Sequence, residues 1–260
     1  IYARCGTARI AQRRTNGRAC KLQRLRTLHL FAGAGGGLLA DVLLGHQPVC
    51  AVEIDEYCQQ VLSARQEDGC FPWFPIFEDV QAFDGNPWRG IVDIVAGGFP
   101  CQDIAIGGKG AGLDGERSGM WSHMARIIGE VRPRYAFIEN SPALVSRGLD
   151  RVLADLASLG FDAGWGVFSG KQAGAPIERK RIFIACSNKE YGEAGVGDFK
   201  RQAQVLANSR EECPSFWVQA TPVSFGVEHG MDSYVDQVSA IGNGQIPIVA
   251  ATAWKMLGGV

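Results

Sequence analysis

Short apolar runs alternate along this chain with segments whose apolar positions recur at helical spacing. The run 91–95 contains a single polar residue, Asp93, and this density of apolar side chains predicts a strand buried on both faces of a parallel sheet. Gly97 and Gly98 follow, and we expect them to end the strand and to let a ligand approach the backbone closely.

The same alternation continues on both sides of this run. In the first half of the chain it predicts a strand, glycine-rich turn and helix over 27–45, a strand and helix over 48–62, and a third strand within 74–83 that ends at Asp79. In the second half it predicts a helix over 118–130, a strand over 135–138, a helix over 149–159, strands over 163–168 and 182–186, and a last apolar helix over 249–257. Strands that alternate with helices in this way predict an α/β fold with a doubly wound, mostly parallel sheet.

Composition narrows the class of protein. With 260 residues the chain can bury a complete α/β core and carry a small appendage. No apolar run is long enough to span a bilayer and no signal peptide is visible, so we expect a cytoplasmic protein without a membrane partner. Eight cysteines form no C-x-x-C pair and four histidines are scattered, so no metal site is expected.

Charge is distributed unevenly. The first 26 residues hold eight basic side chains and no acidic one, so an acidic remainder follows a basic arm. Such an arm can contact phosphates or can be a solvated leader, and both interpretations stay open. Residues 187–238 are rich in Gly, Ser, Asn and charge with little periodicity, which predicts a small appendage or a long functional loop.

A thiol follows the strand at 91–95. Pro100 fixes one backbone torsion just before Cys101, which therefore lies past the carboxyl end of a central strand, where open α/β sheets bind ligands. A cysteine thiolate attacks electron-poor carbon, although a buried and inert cysteine is the more common case.

The first glycine turn favours a cofactor without a pyrophosphate. Counted from Gly33, the dinucleotide pattern requires glycine at the third and sixth positions, and the sixth is Leu38. Glu53 comes 20 residues after Gly33, the spacing at which an acidic residue reaches ribose hydroxyls. Asp79, at the end of the third strand, is a candidate for an adenine amino group.

Further polar residues follow the later strands. Glu139 ends the strand 135–138, where its carboxyl can face the thiol, and partial burial there would raise its pKa towards the range useful for proton donation. Arg179 and Arg181 alternate onto one face, an arrangement suited to clamping a phosphate or carbonyl oxygen. Asn243 and its flanking glycines suit a helix entry that contacts a ligand.

Five motifs occur in a fixed order: FAGAGG at 31–36, GGFPCQ at 97–102, Glu-Asn at 139–140, Arg-x-Arg at 179–181 and GNGQIP at 242–247. Through these motifs the chain resembles the DNA cytosine-5 methyltransferase family over nearly its whole length, from Thr27 to Leu257. Its small size is similar to that of members carried by phages and prophages.

The resemblance implies a Rossmann-like, class I methyltransferase fold that binds S-adenosylmethionine and no metal. The cofactor-binding residues that it implies are Phe31, Gly33, Gly35, Glu53, Ile54, Asp79, Pro100 and Asn243. The substrate-binding residues that it implies are Phe99, Gln102, Asn140 and Gly244.

The resemblance also implies a reaction. Cys101 would attack carbon 6 of a cytosine flipped out of double-stranded DNA, and Glu139 would bind and protonate ring nitrogen 3. Carbon 5 would take the methyl group, and loss of its proton with elimination of Cys101 would release 5-methylcytosine. Arg181 would contact the cytosine carbonyl, while Arg179 would steady Cys101 and the phosphate region. Extracting the base costs a few kcal/mol, which loop closure and stacking must offset.

With these roles, four parts are expected: a basic arm at 1–26, the catalytic and cofactor-binding domain at 27–186, a short target-recognition region at 187–238, and a segment and helix at 239–260 that return to the catalytic domain. We expect a monomer encoded by a bacterium or a phage. A restriction endonuclease partner and the recognised DNA sequence stay open.

The chain departs from the family at three places. Ile177 stands where the family usually has Gln, so a supporting hydrogen bond is expected to be missing. Ser141 replaces a usual Val. No copy of the motif that braces the recognition domain occurs in 187–238.

Three alternatives remain. A cytosine-5 methyltransferase acting on RNA would usually differ at the residue after the thiol, where Gln102 favours DNA. A binding homologue without turnover is favoured by Ile177 and the short recognition region, and opposed by Cys101 and Glu139. A nicotinamide oxidoreductase is disfavoured by Leu38.

Overall fold

The computed structural model describes residues 24–100, 119–175, 177–191, 240 and 243–259. Cys101, the predicted nucleophile, its neighbour Gln102, most of the basic arm and nearly all of the expected recognition region lie outside the described residues.

Seven strands of the described chain form one sheet in the order β3-β2-β1-β4-β5-β7-β6. All neighbours pair in parallel except β7, which is antiparallel to both β5 and β6. The expected mostly parallel, doubly wound sheet is confirmed. Its strands are β1 (Arg26–Leu30), β2 (Gln47–Val52), β3 (Ile76–Phe77), β4 (Ile94–Gly98), β5 (Tyr135–Asn140), β6 (Phe161–Ser169) and β7 (Lys180–Asn188).

Helices cover both faces of this sheet. They are α1 (Gly36–Leu44), α2 (Glu56–Glu67), α3 (Met120–Val131), α4 (Leu144–Arg147), α5 (Leu149–Ser158) and α6 (Pro247–Met256). One core cluster joins β1, β4, β5 and β7 to α3 and α5. A second cluster joins the opposite face of β4, β5 and β7 to α6, whose Trp254 packs edge-on against Tyr135 and Phe137. The described part of the chain contains no helix with the length and apolar character to cross a membrane.

Three of the predicted element boundaries are wrong. The third strand was expected to end at Asp79, but β3 ends at Phe77 and Asp79 follows it just before a turn. Gly97 and Gly98 were expected to end the strand before them, but both belong to β4 and pair with β5. A side chain at Gly97 would overlap the Leu30 carbonyl, and one at Gly98 would overlap the Glu139 carboxylate, so close packing across the sheet requires glycine at both positions. Arg26, counted in the basic arm, begins β1 and forms an ion pair with Asp93 at 3.0 Å.

Candidate active site

A cavity of about 380 Å³ opens at the carboxyl ends of β1, β2, β4 and β5. The chain passes from β1 outward to β2 and β3 and then returns to β4 on the other side of β1. Such a reversal leaves a crevice at the carboxyl ends of the strands, where open α/β sheets bind ligands. The volume lies in the usual range for a small-molecule site.

One end of the cavity is built on the glycine turn after β1. Phe31 and Gly33 both line it and both have positive φ, of 54° and 53°. A positive φ is uncommon for a bulky residue and marks a backbone held by its surroundings. Glu53, at the end of β2, accepts hydrogen bonds from the backbone N–H of Gly33 at 2.6 Å and of Asp55 at 2.9 Å. The turn and the second strand are therefore held together by one carboxylate.

Acidic side chains surround this end of the cavity. Glu53, Asp55, Glu78 and Asp79 all line it. Ile54 lies beside them with 72% of its surface exposed, so an apolar side chain is available to a ligand. The set favours a ligand that carries positive charge and hydroxyl or amino donors.

The opposite end of the cavity contains the buried carboxyl of Glu139. Burial raises the pKa of this carboxyl above its ordinary value, although the charges of Arg181 and Arg179 and hydrogen bonds from Arg181 and Gln245 oppose the rise. Arg181 Nε lies 2.9 Å from Glu139 Oε1. A carboxyl in this environment can hold a proton more readily than one in water, and the adjacent guanidinium limits that tendency.

The backbone that leads to position 101 is fixed from β5. Asn140 Nδ2 donates to the carbonyl of Phe99 at 3.1 Å, and Asn140 Oδ1 accepts from Ser141 N–H at 2.7 Å. The Phe99 ring is buried against Trp121, with 5.4 Å between ring centroids. Pro100, the last described residue before Cys101, lines the cavity. The structure thus gives Asn140 and Phe99 a part in holding this segment.

The structure brings twelve of the predicted site residues together around the cavity: Phe31, Gly33, Glu53, Ile54, Asp79, Phe99, Pro100, Glu139, Asn140, Arg181, Asn243 and Gly244. Two predicted residues do not line it. Gly35 lies at the start of α1, where an added Cβ would contact Leu62 and Phe71. Arg179 precedes β7 and acts on Glu139 through its charge.

Sequence reasoning missed Gln245 and His29, which also line the cavity. Gln245 follows Gly244 within the GNGQIP motif, so its position was a usable signal, whereas nothing in the spacing of His29 marked it. The backbone of Gln245 lies so close to Gly36 that a side chain at Gly36 would overlap the Gln245 carbonyl. The described residues contain no group of three His, Cys, Asp or Glu placed to hold a metal ion.

Comparison with known proteins identifies the family of this chain. The profile of C-5 cytosine-specific DNA methylases matches residues 25–222. The chain is 32% identical over 168 residues to the type II methyltransferase M.CviJI of Paramecium bursaria Chlorella virus IL3A, covering 64% of this chain and 44% of that protein. It is 30% identical over 171 residues to M.Eco47II of Escherichia coli, covering 64% of this chain and 40% of that protein. The chain belongs to the C-5 cytosine-specific DNA methylase family.

The chain spans less than half the length of these two relatives. Among solved structures, the S. pombe Dnmt2 methyltransferase matches with a TM-score of 0.54 and 20% identity, over 73% of this chain and 57% of that one. This likeness concerns the fold alone.

Proposed function

We propose that this chain transfers a methyl group from S-adenosylmethionine to carbon 5 of a cytosine in double-stranded DNA. The observation that carries the proposal is the single cavity that joins an acidic, glycine-lined end to the buried Glu139–Arg181 pair. Family membership supports the same reaction class.

The residues at the acidic end fit S-adenosylmethionine. Glu53 retains acceptor capacity on both oxygens beside its two backbone hydrogen bonds, which suits ribose hydroxyls. Asp79 accepts from Gln81 N–H at 2.8 Å and keeps a second oxygen for an amino group. Ile54 offers an apolar contact, while Asn243 and the Phe31–Gly33 turn would hold the amino-acid part. The cofactor supplies an electrophilic methyl group on a positively charged sulfur.

The base end fits a cytosine ring. Cytosine carbon 5 becomes nucleophilic only after a group has added to carbon 6, and a thiolate adds there reversibly. Glu139 would hold ring nitrogen 3 and place a proton on it as the Cys101 Sγ–carbon 6 bond forms, since its raised pKa favours proton sharing. Arg181 would contact the carbonyl oxygen of the ring.

The reaction ends when the adduct collapses. After methyl transfer, a solvent base would take the proton from carbon 5, and the electrons of that C–H bond would re-form the 5,6 double bond as the Sγ–carbon 6 bond breaks and the thiolate leaves. Ring nitrogen 3 would return its proton to Glu139. Arg179, whose charge already acts on Glu139, would steady this end of the site. Gln102 and Gly244 remain proposed contacts to the substrate.

The experiment is transfer of labelled methyl groups to a cytosine-containing duplex, followed by bisulfite sequencing of the product. A 5-fluorocytosine duplex should trap a covalent complex, because carbon 5 then has no proton to lose. Cys101→Ser should abolish transfer and trapping, while Cys70→Ser, a matched change at a partly buried free thiol that does not line the cavity, should leave both intact. Transfer by the Cys101→Ser protein would refute the thiol mechanism.

The alternatives are decided by the same assay. Methyl transfer to tRNA and not to duplex DNA would replace the DNA proposal with the RNA one. Binding of cofactor and DNA with no transfer or trapping would support a homologue without turnover, as Ile177 would suggest.

Removal of residues 1–23 tests the basic arm, since a phosphate contact predicts weaker DNA binding with a smaller salt dependence. The monomeric state stays a prediction, and an endonuclease partner stays open.

A further inference from the structure

One arginine of α3 holds the segment 79–83 that follows β3. Arg126 Nη2 donates to the carbonyls of Val80 at 2.9 Å and Gln81 at 3.3 Å. Arg126 Nη1 donates to the carbonyl of Phe83 at 3.0 Å. A guanidinium presents its donors in a rigid fork, so one side chain can serve several carbonyls. Arg126 does not line the cavity, whereas Asp79, Val80 and Gln81 do, so this wall of the acidic end is held from behind.

The guanidinium is itself held in place by its own helix. Glu130, one turn further along α3, accepts from Arg126 Nη1 at 2.7 Å through Oε1 and from the backbone N–H of Gly85 at 2.8 Å through Oε2. A Cβ on Gly85 would lie 3.0 Å from Glu130 Oε2, so a residue without a side chain allows this approach. Trp121 and Met124 bury α3 in the core. The segment 79–83 is therefore joined to a fixed helix.

The contact at Val80 reaches the Asp79 carboxylate through a single peptide group. The carbonyl of Val80 and the N–H of Gln81 belong to one planar trans peptide, in which they point in opposite directions. Arg126 donates to that carbonyl, and the N–H on the other side donates to Asp79 Oδ1 at 2.8 Å. The guanidinium therefore fixes the plane of the peptide that orients the carboxylate.

Side-chain packing does not fix this peptide. Val80 and Phe83 are buried in the core, but the Gln81 side chain between them is exposed and Asp79 is partly exposed. Burial of the two flanking side chains anchors the ends of the segment and leaves the peptide between Val80 and Gln81 free to rotate. Its orientation then depends on the hydrogen bond that its carbonyl accepts from Arg126.

We propose that Arg126 is a positioning residue that fixes the Asp79 carboxylate and thereby makes the site select a nucleoside cofactor with an exocyclic amino group on its purine ring. Arg126 acts through the peptide and not by touching the cofactor. The inference rests on the proposed function, because Asp79 meets an adenine amino group only if S-adenosylmethionine binds at the acidic end of the cavity.

Calorimetric titration with two ligands tests this selection without turnover. The ligands are S-adenosylhomocysteine and its analogue in which hydrogen replaces the 6-amino group of the purine. We expect the wild-type protein to bind the amino compound about tenfold more tightly, the effect of one hydrogen bond to a charged group. Arg126→Met keeps an unbranched apolar stem and removes every donor. It should weaken binding of the amino compound, leave binding of the analogue unchanged and so bring the two affinities close to equal.

The matched control is the same substitution directly after α3. Arg132 pairs with Glu190 and contacts no residue of the segment 79–83, so Arg132→Met should keep the wild-type preference for the amino compound. A merely structural role of Arg126 would weaken binding of both compounds by the same factor, and that result would overturn the proposal. Folded Arg126→Met protein that keeps the full preference would overturn it as well.

Measurements on the wild type decide the matter where Arg126→Met does not fold. In ¹⁵N-labelled protein we expect separate signals for the two Nη groups of Arg126 with slow rotation about their bonds to Cζ, because four acceptors hold them. A freely rotating guanidinium would overturn the proposal, and so would equal affinity of the wild type for the two compounds. Failure of the proposed function gives a different result, since wild-type protein would then bind neither compound.

Discussion

Replacement of Gly98 by alanine gives a sharp test of how the base end of the cavity is built. Gly98 pairs with Glu139 across β4 and β5, and an added Cβ would overlap Glu139 Oε2. The carboxyl would have to move by roughly 1 Å to restore an ordinary non-bonded contact. It has little freedom to do so, because Arg181 lies 2.9 Å from its other oxygen and Gln245 donates to it.

A misplacement of this size reduces a catalysed rate by about 100-fold. Crowding of a packed interior also destabilises a protein by about 1–3 kcal/mol. We therefore expect Gly98→Ala to lose about 100-fold in kcat for methyl transfer, beyond any loss of folded protein, while its affinity for S-adenosylmethionine changes little.

The assay is single-turnover methyl transfer at saturating cofactor and duplex, with urea unfolding on the same preparations. Gly129→Ala is the matched control, because Gly129 lies within α3 and does not line the cavity, and an added Cβ there meets only the Leu159 side chain at 3.1 Å. A Gly98→Ala enzyme that transfers methyl groups as fast as the control would show that the position of the Glu139 carboxyl does not limit the reaction.

Three further changes have defined outcomes. The pKa of Asp41 is lowered from its ordinary 3.8 to about 2. The ionised carboxylate therefore stabilises the fold above its unfolded-state pKa, and this contribution is lost as the pH falls through the folded-state pKa. Asp41→Asn should remove about 2 kcal/mol of this pH-dependent stability, measured by urea unfolding. Arg181→Met removes a charge that lowers the pKa of Glu139, so a ¹³C titration should find that pKa higher than in wild type. Trp254→Ala should lower the free energy of unfolding by about 3–5 kcal/mol, measured by urea denaturation, because this buried ring joins α6 to the sheet.

Local patterns predicted most of the elements because strands and helices repeat apolar residues with different periods. The helix expected over 149–159 is α5 (Leu149–Ser158), and the strand expected over 163–168 is part of β6. The same reasoning failed at Gly97 and Gly98, since glycine has a low strand propensity and nothing local records that Leu30 and Glu139 occupy the space of its side chain.

Some residues of the candidate site were predicted from local patterns, and others are brought together only by tertiary packing. Glu53, Asp79 and Glu139 were predicted because each was expected at the end of a strand, and the carboxyl ends of neighbouring parallel strands meet at one edge of a sheet. That His29 and Gln245 both lie against Gly37 was not predictable, since the two residues are far apart in the chain and come together only where α1 and the segment before α6 pack.

The sequence by itself determined the α/β fold, the order of the motifs and the family, because these depend on residue type and spacing along the chain. Tertiary structure alone decided that the Gln245 side chain donates to Glu139, that His29 and Gln245 both lie against Gly37 and how far β4 extends. Those properties depend on side-chain volumes and hydrogen-bond polarity between segments distant in the chain, and no local pattern encodes such contacts.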